Sequence, residues 1–416
     1  MVPVVHRAKP LKISLFTPSH DTSFLPQVWD SIKSQSHSDF EWTVLLNNGA
    51  SNYENPDPRV QVLRDTRGIP NVGYLKRVAC ELSHGDILME QDHDDILLPG
   101  ALDQCSKAFQ DPSTGFAYSN TVNHDIRNNT PISWDSRYGW TYRKFQHEGG
   151  DYVEAVSAEP FPQSISRIWF APNHFRAWRT DTYWKVGGHN ATMKITDDHD
   201  LMCRTYLTAN MVHVDQPLYL YRVHGGNTWL KNQDDITRTM WECHDKYIEP
   251  MMLKWAKDRG LRCIDICGGV NPTDGYESVD IANADVTANL DERWPFDDNS
   301  VGVIRAHDAI EHLRSHVHTM NEAYRVLAHG GLFDILVPSS DGQGGFCDPG
   351  HVSFWNYRSF RYYTEGAYKK FVPDFKGRYQ VLKLRDIRMW DDLPYISAHL
   401  IAVKQEKPRF YGDLLI

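Results

Sequence analysis

Between Ile13 and Met89 the chain alternates short apolar strands with amphipathic helices, a rhythm few architectures accept. Ile13-Ser14-Leu15-Phe16-Thr17 reads as a strand stopped by Pro18. Asp21-Thr22-Ser23 can cap a helix in which Leu25, Val28, Trp29 and Ile32 recur at helical spacing, with Pro26 tolerated in its first turn. Trp42-Thr43-Val44-Leu45-Leu46 is a second strand, ending in Asn47-Asn48-Gly49, and Val60-Gln61-Val62 is a third. Val72, Leu75, Val78, Ala79 and Leu82 mark another helix, broken at Gly85 before the strand Asp86-Ile87-Leu88-Met89. Strand, helix, strand, helix, strand predicts a parallel sheet with helices on its faces. The class is α/β.

From Asn120 to Gln163 the periodicity fails, and Trp134, Tyr138, Trp140, Tyr142 and Phe145 crowd a polar stretch. This reads either as a long functional loop or as a small satellite core beneath one. Met240, Tyr247, Met251, Met252 and Trp255 predict a helical connector over 229–258, interrupted at Pro250. A new α/β pattern then opens with Cys263-Ile264-Asp265-Ile266 running into Gly268-Gly269. Ile310, Leu313, Val317, Met320, Tyr324 and Leu327 predict a helix stopped by Gly330-Gly331, ahead of the strand Leu332–Val337. The 416 residues therefore divide into domains at 1–228 and 259–416 around that connector.

Composition narrows the function. With 44 basic and 54 acidic side chains the net charge is -10, so nucleic acid and anionic membrane are not expected partners. No apolar run approaches the roughly 18 residues of a membrane span. Met1–Arg7 lacks the apolar core of a signal peptide. Seven cysteines without a Cys-x-x-Cys pair support neither a disulfide framework nor a four-thiolate zinc site. A reduced, cytoplasmic protein is the expectation.

The sharpest local signal is Asp92-His93-Asp94-Asp95, directly after a strand. Ligands of parallel α/β sheets bind beyond the carboxyl ends of strands. Carboxylates crowded there repel unless a cation sits between them, and Mg²⁺ or Mn²⁺ takes oxygen ligands and bridges to phosphates. An acidic, solvated turn is the alternative. Wider context distinguishes them, through Ser14-Leu15-Phe16-Thr17-Pro18-Ser19, Glu41–Leu46, Gly73-Tyr74-Leu75-Lys76-Arg77 and Ser83–Ile87. A second block adds His174-Phe175-Arg176-Ala177-Trp178-Arg179, Val186–His189, Asp197-Asp198-His199-Asp200-Leu201 and Pro217–Gly226. In this order, over most of 12–228, these motifs resemble the family 2 glycosyltransferases of the GT-A fold, a Rossmann-like nucleotide-sugar-binding domain.

The resemblance implies an inverting, metal-dependent transfer of a sugar from a nucleotide-sugar to a glycan or other hydroxyl acceptor. Asp92 and Asp94 would hold Mn²⁺ or Mg²⁺ on the diphosphate, with His224 a further ligand. Thr17, Pro18, Ser19, Asn47, Asn48, Lys76, Arg77, Asp92 and His93 would line the donor site. Asp198 would be the general base, with the charges of Asp197 and Asp200 raising its pKa; N-capping of the following helix is the alternative for Asp198. The family usually has Asp-Asp-Gly-Ser where this chain has Asn47-Asn48-Gly49-Ala50. An amide still offers a carbonyl acceptor to uracil, so a UDP-sugar is the expected donor.

The segment Arg262–Thr364 resembles class I S-adenosylmethionine-dependent methyltransferases, through Cys263–Gly269, Glu277-Ser278-Val279-Asp280, Asn283–Val286, Trp294–Val301, Ala306–His312, Tyr324–Gly331 and Asp348-Pro349-Gly350-His351. The resemblance implies a Rossmann-like fold and a cofactor held by Asp265, Gly268, Gly269, Asp280, Asp285 and His307. Only about ten residues separate its first two strands, so the first crossover helix must be reduced or absent. His307, His312, His316, His318 and His351 raise the question of a metal, although His312, His316 and Glu311 fit a surface helix equally well. His307 or His351 could serve as base for a hydroxyl acceptor. Three readings follow: a glycosyltransferase that also methylates the glycan, one whose second domain is an inactive structural or binding module, and a glycan-binding platform serving a methyltransferase.

Overall fold

The alternation between Ile13 and Met89 becomes one half of a mixed sheet in the computed structural model, which describes residues 11–134, 140–269, 273–389 and 392–405. Met1–Arg7 and Tyr138, both singled out above, lie outside the described residues. The first unit extends to Tyr247 and the second begins at Ile248.

In the first unit the strands are β1 (Ile13–Ser19), β2 (Phe40–Leu46), β3 (Val60–Arg64), β4 (Ile87–Glu90), β5 (Ile96–Leu97), β6 (Thr114–Asp125), β7 (Thr130–Pro131), β8 (Thr141–His147), β9 (Gly150–Val156), β10 (Arg176–Arg179) and β11 (Asn210–Val223). The helices are α1 (Leu25–Lys33), α2 (Val72–Glu81), α3 (Ala101–Ala108), α4 (Pro162–Arg167), α5 (Thr180–Lys185), α6 (Asp197–Thr208) and α7 (Thr228–Lys231), followed by α8 (Gln233–Asp258), which begins in this unit and ends in the next. The sheet order is β3-β2-β1-β4-β10-β6-β11-β5, with the first four parallel and β10 antiparallel to both neighbours. Strand β1 does not stop at Pro18. Its pairing with β4 ends at Phe16, so beyond that point only β2 flanks it, and a missing N–H on the other edge costs no ladder bond.

Among its described residues, the stretch 120–163 is largely strand rather than loop. Strand β6 continues to Asp125, and β8 and β9 form a hairpin whose inner strand pairs with β6. Every residue of β6 is buried, which erases the two-residue alternation expected of a half-exposed strand. Its polar groups are partly satisfied internally: Asn120 Nδ2 donates to Glu154 (2.6 Å) and Asp215 (2.8 Å), and Ser157 Oγ donates to the Ser119 carbonyl (2.6 Å), whereas Asn123 Nδ2 and His124 Nδ1 are buried without a partner. Helix α8 runs unbroken through Pro250. Tyr247 and Ile248 before it, and Met251 and Met252 after it, are buried, which offsets the roughly 3 kcal/mol that an internal proline costs.

The second unit has β12 (Arg262–Ile266), β13 (Glu277–Asp280), β14 (Val286–Thr287), β15 (Val301–His307), β16 (Leu327–Pro338), β17 (Tyr379–Met389) and β18 (Leu393–Ala402), with α9 (His316–Val326), α10 (Gly344–Cys347), α11 (Tyr357–Thr364) and α12 (Gly366–Lys369). The order is β14-β13-β12-β15-β16-β18-β17, with every strand in one direction except β18, which is antiparallel to both β16 and β17. Between β12 and β13 no helix occurs among the described residues. The helix expected from Ile310 begins only at His316; Ile310–His312 is a separate 3-10 turn, and Ser315 caps α9 by accepting the N–H of His318. Gly330 and Gly331 lie inside β16 rather than at a helix end.

Candidate active sites

Strand β4 ends at Glu90, and the Asp-rich loop that follows is tied to the end of β11. The Asp92 N–H donates to Tyr219 Oη (3.1 Å), and the Arg222 N–H donates to the buried Asp95 carboxylate (2.8 Å). Arg222 Nε also bonds the Asp94 carbonyl, and His224 Nε2 lies 2.8 Å from Asp94 Oδ2. The predicted metal ligands Asp94 and His224 are therefore in direct contact, with Asp92 two residues away in the same loop. Burial would raise Asp94, but the His224 hydrogen bond and the charges of His93 and His224 bring it below the ordinary carboxylate value. Asp92 is raised: burial outweighs the pull of His174 and Lys76. The carboxylate oxygens of Asp92 and Asp94 are ligands of the kind Mn²⁺ or Mg²⁺ takes, so these residues fit such a cation.

Beneath the loop lies a charged floor in which sequence reasoning gave a role to Lys76, as a donor-site residue, but none to Glu90, His174 or Arg176. Glu90, 1% exposed, bonds Lys76 Nζ, and its other oxygen is 3.6 Å from His174 Nε2 and 3.7 Å from Arg176. His174 Nε2 is equally 3.6 Å from Asp92. Arg176 is anchored by the carbonyls of Pro172 (2.8 Å) and Phe170 (3.0 Å) and donates to Asp198 Oδ2 at 2.6 Å. In the sequence, the blocks His174-Phe175-Arg176 and Gly73–Arg77 carry the floor's positive charges.

This floor overturns the expected electrostatics of Asp198. Burial would raise it, yet Arg176 and Lys76 outweigh that and hold it below its ordinary value. Asp200 is consumed by Arg204 (2.6 Å) and by Tyr247 Oη (2.7 Å). The raised carboxyl is its neighbour Asp197, lifted to about 7 first by burial and then by Asp198 and Glu90. Nor does Asp198 cap the helix: Thr196 is the capping residue, and Asp198 Oδ1 accepts only the adjacent His199 N–H (2.9 Å). Gly73 sets this geometry. A Cβ there would sit 2.1 Å from the Asn190 carbonyl oxygen, so only glycine lets α2 press Lys76 toward the start of α6.

Asp197 makes a pH prediction. Its folded pKa of about 7 exceeds the ordinary 3.8, so between those values the folded state holds a proton that the unfolded state has released. Stability must fall as pH rises through that window. Asp197→Asn should therefore gain on wild type in urea unfolding at the upper end of the window relative to the lower; equal slopes would refute the assignment.

The other expected donor-site residues are more varied. Thr17 is buried, donating to the Gln91 carbonyl (2.7 Å) and accepting from Trp42 Nε1 (2.8 Å), and Ser19 Oγ donates to the Asp21 carbonyl (2.8 Å). Pro18 is half-buried between them. Asn47 is buried with its amide directed at the Leu45 carbonyl (3.4 Å), leaving Oδ1 as an acceptor, and Asn48 is exposed at φ 50°. Arg77 is directed elsewhere, donating to the Gly187 carbonyl (2.6 Å) and to Glu81 (3.2 Å). His93 packs edge-on against His20, with centroids 4.8 Å apart.

In the second unit the glycine turn follows β12. Gly269 adopts φ +59° and donates its N–H to Asp280 Oδ2 (3.0 Å), while Asp280 Oδ1 accepts from Ile281 (2.6 Å). Asp280, at the end of β13, stays partly exposed. A left-handed glycine beside a partly exposed carboxylate fits a ribose diol. Asp265 is buried and spent on Arg305 (2.9 Å) and Thr273 (2.7 Å), beneath Gly268. Asp285 closes a turn by accepting from Ser278 N–H (2.9 Å) and Oγ (3.0 Å). His307 lies 3.1 Å from Asp334, whose other oxygen is 3.3 Å from His399. The histidines do not form one cluster on a surface helix: His316 stacks on Trp355 (3.8 Å), His318 bonds the Glu292 carbonyl (2.8 Å), and Glu311 is buried.

The chondroitin synthase of Pasteurella multocida (strain Pm70) is 24% identical over 241 residues, covering 55% of this chain and 22% of that protein. S. aureus TarS 1–349 in complex with UDP-GlcNAc aligns at 14% identity and TM-score 0.43, covering 60% of this chain and 72% of that one. The mannosyltransferase PcManGT from Pyrobaculum calidifontis, in complex with GDP-Man and Mn²⁺, aligns at 13% identity and TM-score 0.38, covering 60% and 65%. The N-terminal half resembles glycosyltransferases in sequence. Residues 248–335 match the family model described as a methyltransferase domain, which begins at the first residue of the second unit. The glycosyltransferase-like half thus spans only about a fifth of the length of the synthase it matches. Among the described residues no helix is long and apolar enough to cross a membrane.

Proposed function

We propose that the chain is a two-domain enzyme. Residues 1–228 transfer a sugar from a nucleotide-sugar to a hydroxyl acceptor with inversion, and residues 259–416 transfer a methyl group from S-adenosylmethionine to the glycan. The observation that carries the first activity is the Asp94–His224 pair on the loop that bears Asp92, together with an ionised Asp198 held by Arg176. A cation bound by Asp92, Asp94 and His224 would neutralise the charge growing on the leaving diphosphate. The chain's own residues do the rest. Asp198 Oδ1, the oxygen not held by Arg176, takes the acceptor's hydroxyl proton as that oxygen bonds the anomeric carbon. The bond to the diphosphate breaks with its electron pair leaving on the diphosphate oxygen. Arg176 keeps Asp198 deprotonated, so the base is ready across the neutral range. The free carbonyl of Asn47 supports a uridine nucleotide as donor.

Asp94→Ala is expected to abolish metal-stimulated release of nucleoside diphosphate while the protein still melts cooperatively, because its side chain is bound to His224 rather than packed in the core. Full activity of this variant in chelator would remove the metal from the proposal.

The methyl-transfer reading is supported by the family match over 248–335 and by Asp280 beside Gly269. S-adenosylmethionine supplies the electrophilic methyl group, and Asp280 accepts hydrogen bonds from its ribose. The cofactor should raise the melting temperature of wild type by mass action, and Asp280→Ala should remove most of that rise. No shift in wild type at any cofactor concentration would favour a second domain that only binds or assembles.

A further inference from the structure

Beyond the carboxyl end of β15 the 3-10 turn Ile310–His312 carries a carboxylate into the interior. Glu311 is 2% exposed, and neither of its side-chain oxygens has a hydrogen-bond partner. Its backbone carbonyl accepts the N–H groups of Val352 (2.9 Å) and Ser353 (3.0 Å), which clamps the turn against the segment bearing His351. Burying a carboxylate without partners is costly, and burial lifts Glu311 to about 7. A fold does not retain such a group for packing.

Two imidazoles face it. His351 Nε2 lies 3.9 Å from Glu311 Oε1, and His312 packs edge-on against His351 with ring centroids 5.0 Å apart. One potential ligand atom from each of the three residues lies within 4.8 Å of the others. The rings are also held in one tautomer. His312 Nδ1 donates to the Gly350 carbonyl (3.0 Å) and His351 Nδ1 to the Gly345 carbonyl (3.1 Å). A carbonyl can only accept, so both protons sit on Nδ1 and both Nε2 lone pairs stay open. Metal-binding imidazoles are oriented in this manner.

We propose that Glu311, His312 and His351 bind a divalent first-row transition cation through one carboxylate oxygen and the two Nε2 atoms. Two nitrogens and one oxygen suit Zn²⁺ or Mn²⁺ better than Mg²⁺ or Ca²⁺, which take oxygen shells. Three protein ligands leave a position open, as in catalytic rather than structural zinc sites, and that position suits an oxygen ligand such as a substrate hydroxyl. The site shares no residue with the Asp94–His224 pair and stands whether or not either transfer reaction occurs.

The test is calorimetric titration of the chelator-stripped full chain with Zn²⁺, in wild type, Glu311→Gln, His312→Ala and Asp94→Asn. Glu311→Gln and His312→Ala should each lose one class of site, or weaken it by at least about tenfold. Asp94→Asn should keep it. His312 is only partly buried, so its variant separates ligand loss from misfolding, and circular dichroism verifies both. Undiminished Zn²⁺ binding in either folded variant, or loss of this class in Asp94→Asn, overturns the site.

Discussion

Asp198→Asn is expected to reduce sugar transfer by about 10²–10⁴-fold, the usual cost of removing a general base, while nucleotide-sugar binding persists. The amide keeps the size of the carboxylate and can still accept from Arg176 through its oxygen, but it cannot take the acceptor proton. The measurement is nucleoside diphosphate release at saturating donor, with donor affinity measured separately. Asp197→Asn is the control. Asp197 sits one residue away, 2% exposed and lifted to about 7, so it is a buried acid rather than an accessible base. A larger kinetic loss in Asp197→Asn than in Asp198→Asn would transfer the base assignment by one residue.

Arg176→Met should be the most destabilising single change in the first unit's site. Arg176 is 1% exposed and pairs with Asp198 at 2.6 Å, with Glu90 a further 3.7 Å away. Removing it leaves Asp198 without its cation and Glu90 with one fewer. Breaking a buried pair in this way costs about 3–5 kcal/mol, because a charge is left uncompensated. For a unit of this size that lowers the melting temperature by on the order of 10 °C. The pH dependence identifies the cause. In wild type the folded pKa of Asp198 is depressed, so its contribution is fully present at neutral pH and is lost as pH falls through that depressed value. The gap between wild type and Arg176→Met should therefore be widest at neutral pH and narrow in acid. A gap independent of pH would mean that Arg176 acts through packing alone.

Much of the fold was legible before any coordinates. The strands at Ile13, Trp42, Val60 and Ile87, and the helices at Leu25 and Val72, each show a local period that one buried face imposes. Strand β6 was not legible, because burial on both faces and buried polar side chains leave no period to detect. Helix α9 was misread as starting at Ile310, since the 3-10 turn keeps the same apolar spacing before Ser315 restarts the chain.

The sites divide along the same line. Asp92, Asp94, His224 and Asp198 stand out in sequence because each belongs to a local motif, and the structure brings Asp94 and His224 to 2.8 Å. What the motifs could not carry is which charges lie beneath them. Asp197, Asp198 and Asp200 are near-identical in local chemistry, yet one is raised, one is lowered and one is consumed by Arg204 and Tyr247. Glu311 reads as a surface acid until its turn folds inward against His351. The sequence by itself determined the order of strands and helices between Ile13 and Met89 and the residue types available at the strand ends, because those follow from short-range periodicity and steric rules. Only the tertiary structure decided which carboxylate keeps its proton, because burial and the position of Arg176, Lys76 and His351 are set by contacts between segments far apart in the chain.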